Sequence, residues 1–311
     1  MTVLINNLCV IGTGLIGGSF CLSLKQAGAC RHIVGAGRSE ATLQKALQLD
    51  IIDHYETDIE LAVKDADVVF VSVPLGAMAS VFKQIKTGLN KAGNSKAVVT
   101  DAGSSKQQVV QLAAEIFDAN DGDAKNGRSE DGVVEGEFGA CRFVAGHPIA
   151  GTENSGPEAA FAELYKDRRV ILTPSADTDA DAITLVTELW QATGAMVETM
   201  DAAHHDKVLA ATSHLPHILA FGLVHCLENM DDIENVFRFA AGGFRDVTRI
   251  ASSDPVMWRD ICLNNQKPIL EMMQRYRDEL DMLYNALESG DGEKLKEIFE
   301  HAKKTRDKFT H

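Results

Sequence analysis

Apolar positions in the first two hundred residues keep two rhythms in alternation. Residues 8–11 (LCVI) are a short apolar run that predicts a strand; the glycine-rich stretch 12–17 predicts a tight turn; residues 18–26 carry apolar side chains at helical spacing. The succession repeats with a short strand at 32–35, a helix at 40–47 and a strand at 67–73 (DVVFVSV) that Pro74 ends. A run as apolar as 67–73 suits burial on both faces. A helix around 78–85, a strand at 97–100 and a helix over 106–117 follow, then strands at 142–145, 169–173 and 195–199 with an amphipathic helix at 180–190. Such alternation predicts an α/β fold with a mostly parallel sheet and ligands at the carboxyl ends of its strands. Beyond residue 200 the pattern turns almost wholly helical. Segments 206–228 and 267–287 carry apolar faces larger than one thin layer would bury, which predicts helix packing between subunits of a homodimer. The expected division is a cofactor-binding domain over 1–200 and an all-helical substrate-binding and dimerisation domain over 201–311.

Composition narrows the partners. The chain has 311 residues, with 45 acidic against 30 basic side chains and a formal charge of −15. That balance disfavours binding to nucleic acid or to an anionic membrane. The segment 118–137 is rich in Asp, Gly and Asn and reads as a solvated loop rather than a cation site. The N-terminus lacks the basic region of a secretion signal, and no stretch reads as the roughly 20 apolar residues that cross a bilayer. Six scattered cysteines show no metal or disulfide spacing, which predicts reduced thiols, a cytoplasmic setting and no structural zinc.

Candidate chemistry begins at the first turn. Gly12, Gly14 and Gly17 have the spacing of a dinucleotide-binding turn: the first allows the tight bend, the second admits a pyrophosphate, and the third lets helix and strand pack closely. Thr13, Leu15 and Ile16 lie between them, and Val73 and Pro74 at the end of a later strand are further candidate cofactor contacts. The acidic residue that would hold the adenosine ribose is absent after the second strand, where Gly37 is followed by Arg38 and Ser39. Arg38 suits a 2′-phosphate, so NADP is favoured over NAD.

His147, in HPIAGTENSG, is the candidate base on a polar loop after a sheet strand, since an imidazole can take a hydroxyl proton at neutral pH while the carbon beneath gives up hydride. Thr152 in the same loop is a candidate substrate contact. In DAGSSK, Ser104 can bond the substrate hydroxyl and His147, with Ser105 the alternative actor or both capping the next helix; Lys106 reads as an anion partner or as an exposed first-turn lysine. In SHLPH, His217 suits a polar substrate contact and His214 a packing role; three-residue spacing across Pro216 with no evident third ligand argues against metal. In GGFRDVTRIA, Arg245 is the candidate clamp for a carboxylate, while Arg249 paired to Asp246 or another acid is the structural alternative.

These motifs resemble those of the prephenate and arogenate (cyclohexadienyl) dehydrogenase family of tyrosine biosynthesis. GTGLIGGS, VPLGAM, DAGSSK, GHPIAGTENSG, SHLPH and GGFRDVTRIASSDPVMWRDI occur in the family's order over nearly the whole chain. The resemblance implies a Rossmann-type domain binding NAD or NADP, a helical domain that builds the dimer, and a cyclohexadienyl dicarboxylate substrate. It places the family's essential histidine on His147, its loop serine on Ser104, its substrate-binding arginine on Arg245 and its second motif histidine on His217. The implied reaction is hydride transfer from the hydroxyl-bearing ring carbon followed by loss of carbon dioxide, with tyrosine as an inhibitor at the cleft. Two other classes compete: a β-hydroxyacid-type dehydrogenase, which would rest on a lysine such as Lys207, and a non-catalytic dinucleotide sensor.

Overall fold

The computed structural model describes residues 3–119, 137–228 and 230–309. Its first half is a six-stranded parallel sheet of β1 (Ile5–Ile11), β2 (Cys30–Ala36), β3 (His54–Glu56), β4 (Val68–Val71), β5 (Val98–Asp101) and β6 (Phe143–Val144), in the order β3-β2-β1-β4-β5-β6. Crossovers α1 (Leu15–Ala27), α2 (Glu40–Gln48), α3 (Ile59–Ala62), α4 (Met78–Ala92) and α5 (Gln107–Phe117) cover its two faces. Parallel strands need such helices because both faces must be dry. β4 is buried at every position, as its unbroken apolar run requires. Strand order reverses between β1 and β4, which opens a crevice at their carboxyl ends.

One face packs Phe20 of α1 on Phe70 of β4 and on Trp190 of α6 (Ala180–Ala192), with ring centroids 4.4 and 4.5 Å apart, and Tyr165 lies 5.0 Å from Trp190. The other face joins Phe82 of α4, Phe117 of α5 and Phe143 of β6. A smaller sheet adjoins the first: β7 (Gly146–Pro148) runs antiparallel to β8 (Arg169–Leu172), and β8 parallel to β9 (Met196–Thr199).

The rest is helical: α7 (Ala202–Leu209), α8 (Leu215–Glu228), α9 (Ile233–Arg238), α10 (Gly242–Thr248), α11 (Pro255–Asn264), α12 (Gln266–Glu288) and α13 (Gly292–Lys308). A single π turn at Ala210–His214 separates α7 from α8, with Leu215 N–H bonding the Ala210 carbonyl. Pro216 has no N–H to offer the preceding turn, and the wider turn absorbs the loss.

Several boundaries differ from the sequence reading. Residues 12–17 are not one turn: α1 begins at Leu15, so Gly17 lies inside the helix. The strands expected at 67–73 and 142–145 shrink to Val68–Val71 and Phe143–Val144, and α7 starts before residue 206. Through the π turn, Ala202–Glu228 is long and apolar enough by composition to cross a bilayer, which the sequence reading missed. Its buried polar side chains, His205, Asp206 and His214, go to the site described next. Most of the acidic segment 118–137 lies outside the described residues.

Candidate active site

The turn after β1 fits a dinucleotide. Gly12 has φ +97°, and a Cβ there would meet the Ser72 carbonyl oxygen at 2.2 Å; a Cβ on Gly17 would meet the Gly12 carbonyl at 2.0 Å. A Cβ on Gly14 meets nothing within 4 Å. Gly12 and Gly17 therefore build the bend, while Gly14 caps α1 and leaves open space at a helix N-terminus suited to a phosphate. Thr13 is buried with no partner for its Oγ1 among the described residues, and Leu15 is buried beside it. Ile16 is pinned through its carbonyl by the Tyr165 hydroxyl at 2.5 Å. Val73 packs 3.3 Å from the Gly12 Cβ position, and Pro74 starts the short turn that leads to α4. At the end of β2, Arg38 is exposed. Ser39 instead caps α2, its Oγ accepting from Thr42 N–H, so this side chain has a structural task.

His147 is not on an open loop. It sits in β7, pairs with Ile171 of β8 and is only 8 % exposed. Flanking ladder bonds fix its backbone, and Asp101 at the end of β5 reinforces them: Asp101 Oδ1 accepts from Gly146 N–H at 3.1 Å. Asp101 Oδ2 holds the Lys106 ammonium at 2.6 Å, and Lys106 Nζ also donates to the Gly146 carbonyl at 2.7 Å. Lys106 is thus neither an exposed lysine nor a free anion partner; it is fully buried and ties β5 to β7. Removing either partner would strand a charge in the interior.

Behind His147 stand two residues that sequence reasoning missed. His147 Nδ1 lies 2.9 Å from His205 Nε2, and His205 Nδ1 lies 2.8 Å from Asp206 Oδ1. Asp206 also accepts from the backbone N–H groups of Lys106 (2.8 Å) and Gln107 (3.0 Å) at the start of α5. Carboxylate acceptance at a helix N-terminus is favourable, and here it docks α7 on the sheet domain. A second such tie is Asp260 of α11, whose Oδ2 accepts from Gly76 N–H at 3.3 Å.

Burial keeps these imidazoles uncharged. The His147 pKa is pushed well below the ordinary histidine value by desolvation first, then by His205, Lys106 and His214. Burial also lowers His205, against the bond from Asp206, and takes His214 down to about 4. His147 is therefore an uncharged imidazole in the physiological range.

From the helical side, His214 is buried and bonded to Asn265 Nδ2 at 2.9 Å, a packing role. His217 is half-buried, bonds the Ser213 carbonyl and stacks on Trp258 at 3.8 Å. Ser104 is partly exposed at the head of the loop after β5, whereas Ser105 is fully buried with an Oγ that lacks a partner among the described residues. Thr152 is exposed and accepts from Asn154 N–H. Arg249 pairs with Glu153, five residues beyond the end of β7, at 3.3 Å and not with Asp246. Its charge also disfavours protonation of His217, which sets it near the site. Arg245 is exposed on α10. No cluster of metal-ligating side chains forms among the described residues.

A parallel sheet with a glycine turn at its switch point, and a buried neutral imidazole tied to the carboxyl end of its β5, defines a dinucleotide-dependent dehydrogenase. Residues 20–121 and 133–199 match the model of the prephenate dehydrogenase nucleotide-binding domain, and residues 201–301 match that of the prephenate dehydrogenase dimerization domain. Cyclohexadienyl dehydrogenase of Zymomonas mobilis is 35% identical over 308 residues, 98% of this chain and 96% of that protein. Prephenate dehydrogenase of Bacillus subtilis is 34% identical over 303 residues, 97% of this chain and 76% of the relative. The crystal structure of Aquifex aeolicus prephenate dehydrogenase in complex with hydroxyphenyl propionate and NAD+ aligns with a TM-score of 0.84 at 35% identity, covering 97% of this chain and 98% of that one. The chain belongs to the prephenate dehydrogenase family. Its sheet half is the Rossmann-type cofactor domain and its helical half the dimerisation domain.

Proposed function

We propose that the cleft oxidises prephenate to 4-hydroxyphenylpyruvate and carbon dioxide, accepts arogenate as the alternative substrate, and uses His147 as the base. The observation that carries this reading is a buried, uncharged imidazole tied through Gly146 to Asp101 at the carboxyl end of β5, in the sheet whose β1 carries the dinucleotide turn at its own carboxyl end. Bound nicotinamide supplies the hydride acceptor.

His147 Nε2 takes the proton of the ring hydroxyl as the ring carbon loses hydride. The resulting dienone sheds its ring carboxylate as carbon dioxide, and the electron pair of the broken C–C bond moves through the ring to the carbonyl oxygen. That oxygen becomes a phenolate and recovers a proton from His147, so the base is restored. Ser104 orients the hydroxyl, with Ser105 and Thr152 as neighbouring contacts, and His217 steadied on Trp258 lines the far side.

A guanidinium must hold the ring carboxylate. The motif places that task on Arg245; a second reading places it on Arg249, favoured by its position beside Glu153 and His217. Arg38, exposed after β2 where a ribose-binding acid would stand, supports NADP over NAD. Tyrosine is the product of arogenate oxidation and would compete for the same cleft. Six free thiols support a reducing, cytoplasmic setting, which cell fractionation tests.

Reduction of NAD or NADP measured with prephenate and with arogenate tests the whole reading. Turnover with either substrate is expected, with a higher kcat/KM for NADP that Arg38→Ala reverses. No turnover in all four mixtures, with cofactor binding intact, would overturn it.

A further inference from the structure

The hydrogen-bond chain behind His147 has a direction that its chemistry determines. Asp206 already accepts from the backbone N–H groups of Lys106 and Gln107. An ionised carboxylate can only accept, so the proton in the 2.8 Å contact between Asp206 Oδ1 and His205 belongs to His205 Nδ1. A neutral imidazole protonated at Nδ1 presents a lone pair at Nε2. His205 Nε2 therefore accepts, and the atom 2.9 Å away, His147 Nδ1, must donate. His147 is left with its lone pair on Nε2, the nitrogen that a substrate hydroxyl needs.

We propose that His205 is a positioning residue through which Asp206 sets the tautomer of His147 and takes over the positive charge when His147 is protonated. The inference rests on His147 being the base. When His147 Nε2 gains the substrate proton, the Nδ1–H bond of His147 breaks as a new N–H bond forms at His205 Nε2. The cation then lies on His205, against Asp206. The reverse transfer returns the proton when the phenolate needs it. Both rings are buried and both feel the Lys106 ammonium, but only His205 bonds a carboxylate, so the charge is better held there than on His147.

The groups facing the pair are Lys106 and Asp101 after β5, Asp206 on α7 and His214 in the π turn. Lys106 and Asp101 neutralise each other at 2.6 Å. Asp206 remains as the one uncompensated charge, sufficient for one shared proton. A catalytic triad uses the same logic with one imidazole; here two imidazoles in series span from the helical domain to the sheet domain.

The test uses the full-length dimer with 15N-labelled histidine, its ring signals assigned with His147→Asn and His205→Gln. Both His147 and His205 are expected to carry their proton on Nδ1. Asp206→Asn is expected to shift His147 toward the Nε2–H form and to lower kcat roughly 100-fold with little change in KM. It also moves the acid limb of the pH profile to lower pH, because the charge that favoured protonation is gone. A loss of packing alone would lower the maximum without moving that limb. Should Asp206→Asn fail to fold, His205→Asn leaves the Asp206 bonds to α5 in place and is expected to lower kcat in the same way. A wild-type His147 protonated at Nε2, or an unchanged kcat and pH profile in either variant, would overturn the proposal. Absence of turnover in the wild type would overturn the substrate assignment instead, and the ring signals would still decide the tautomer.

Discussion

The two halves of the chain solve burial differently. In the sheet domain, α1 buries eight of its thirteen residues, and the Phe20, Phe70, Tyr165 and Trp190 cluster completes a core within one protomer. In the helical domain, α12 runs for 23 residues and buries only Ile269 and Ala286, while α13 buries none. Leu270, Leu280, Tyr284, Leu287 and Phe299 all stay exposed. Exposed apolar faces of that extent mark an interface. The sheet domain can hold its shape as a single copy, whereas the helical domain completes its core only with a second copy, as a dimerisation domain must. The His147, His205 and Asp206 group stands where the two kinds of region meet.

The sharpest way to separate chemistry from architecture is His147→Asn. It is expected to lower kcat about 1,000-fold while leaving the dimer and the dissociation constant for the dinucleotide unchanged, read by steady-state rates and fluorescence titration. Trp190→Ala attacks the self-sufficient core and is expected to cost about 3–5 kcal/mol, measured by denaturant unfolding. Leu280→Glu with Leu287→Glu on α12 should instead weaken self-association by at least about tenfold, near 1.4 kcal/mol. Sedimentation would show monomers whose sheet domain retains its circular dichroism; a dimer unaffected by both charges would place the interface elsewhere. Arg249→Gln and Arg245→Gln, compared side by side, are expected to differ: the clamp for the ring carboxylate shows a KM about tenfold higher, and the other changes it little.

The smallest effect is one of pH. His147 and His214 titrate below the ordinary histidine value in the folded protein, His214 at about 4. Their contribution to stability is complete above about pH 6.5 and is lost as pH falls toward 4, because the unfolded chain takes up protons first. His214→Gln should flatten that slope in urea titrations between pH 6.5 and 4.5.

Periodicity made the parallel sheet and the helical second half legible, because strands such as Val68–Val71 are apolar for reasons local to themselves. The glycine turn was legible for the same reason, although the helix starts inside it, at Leu15. The supports of the base were not. His205 lies 58 residues from His147, and Asp206 about 100 from the N–H groups it accepts, so only tertiary packing joins them. Lys106 carried one usable signal, since Asp101 stands five residues earlier at the end of β5 and a lysine so placed can turn back on it. His147 looked exposed because its neighbours 151–155 are polar and exposed, while the short strand around it took its burial from β8.

Asp206 has a consequence for the order in which the enzyme becomes competent. A chain made from its N-terminus completes the dinucleotide turn and β7 before residue 206 exists. During that interval the imidazole has no carboxylate to orient it. The dinucleotide turn can therefore form before this tie exists, and the docking of α7 against the head of α5 is what brings the carboxylate to His205.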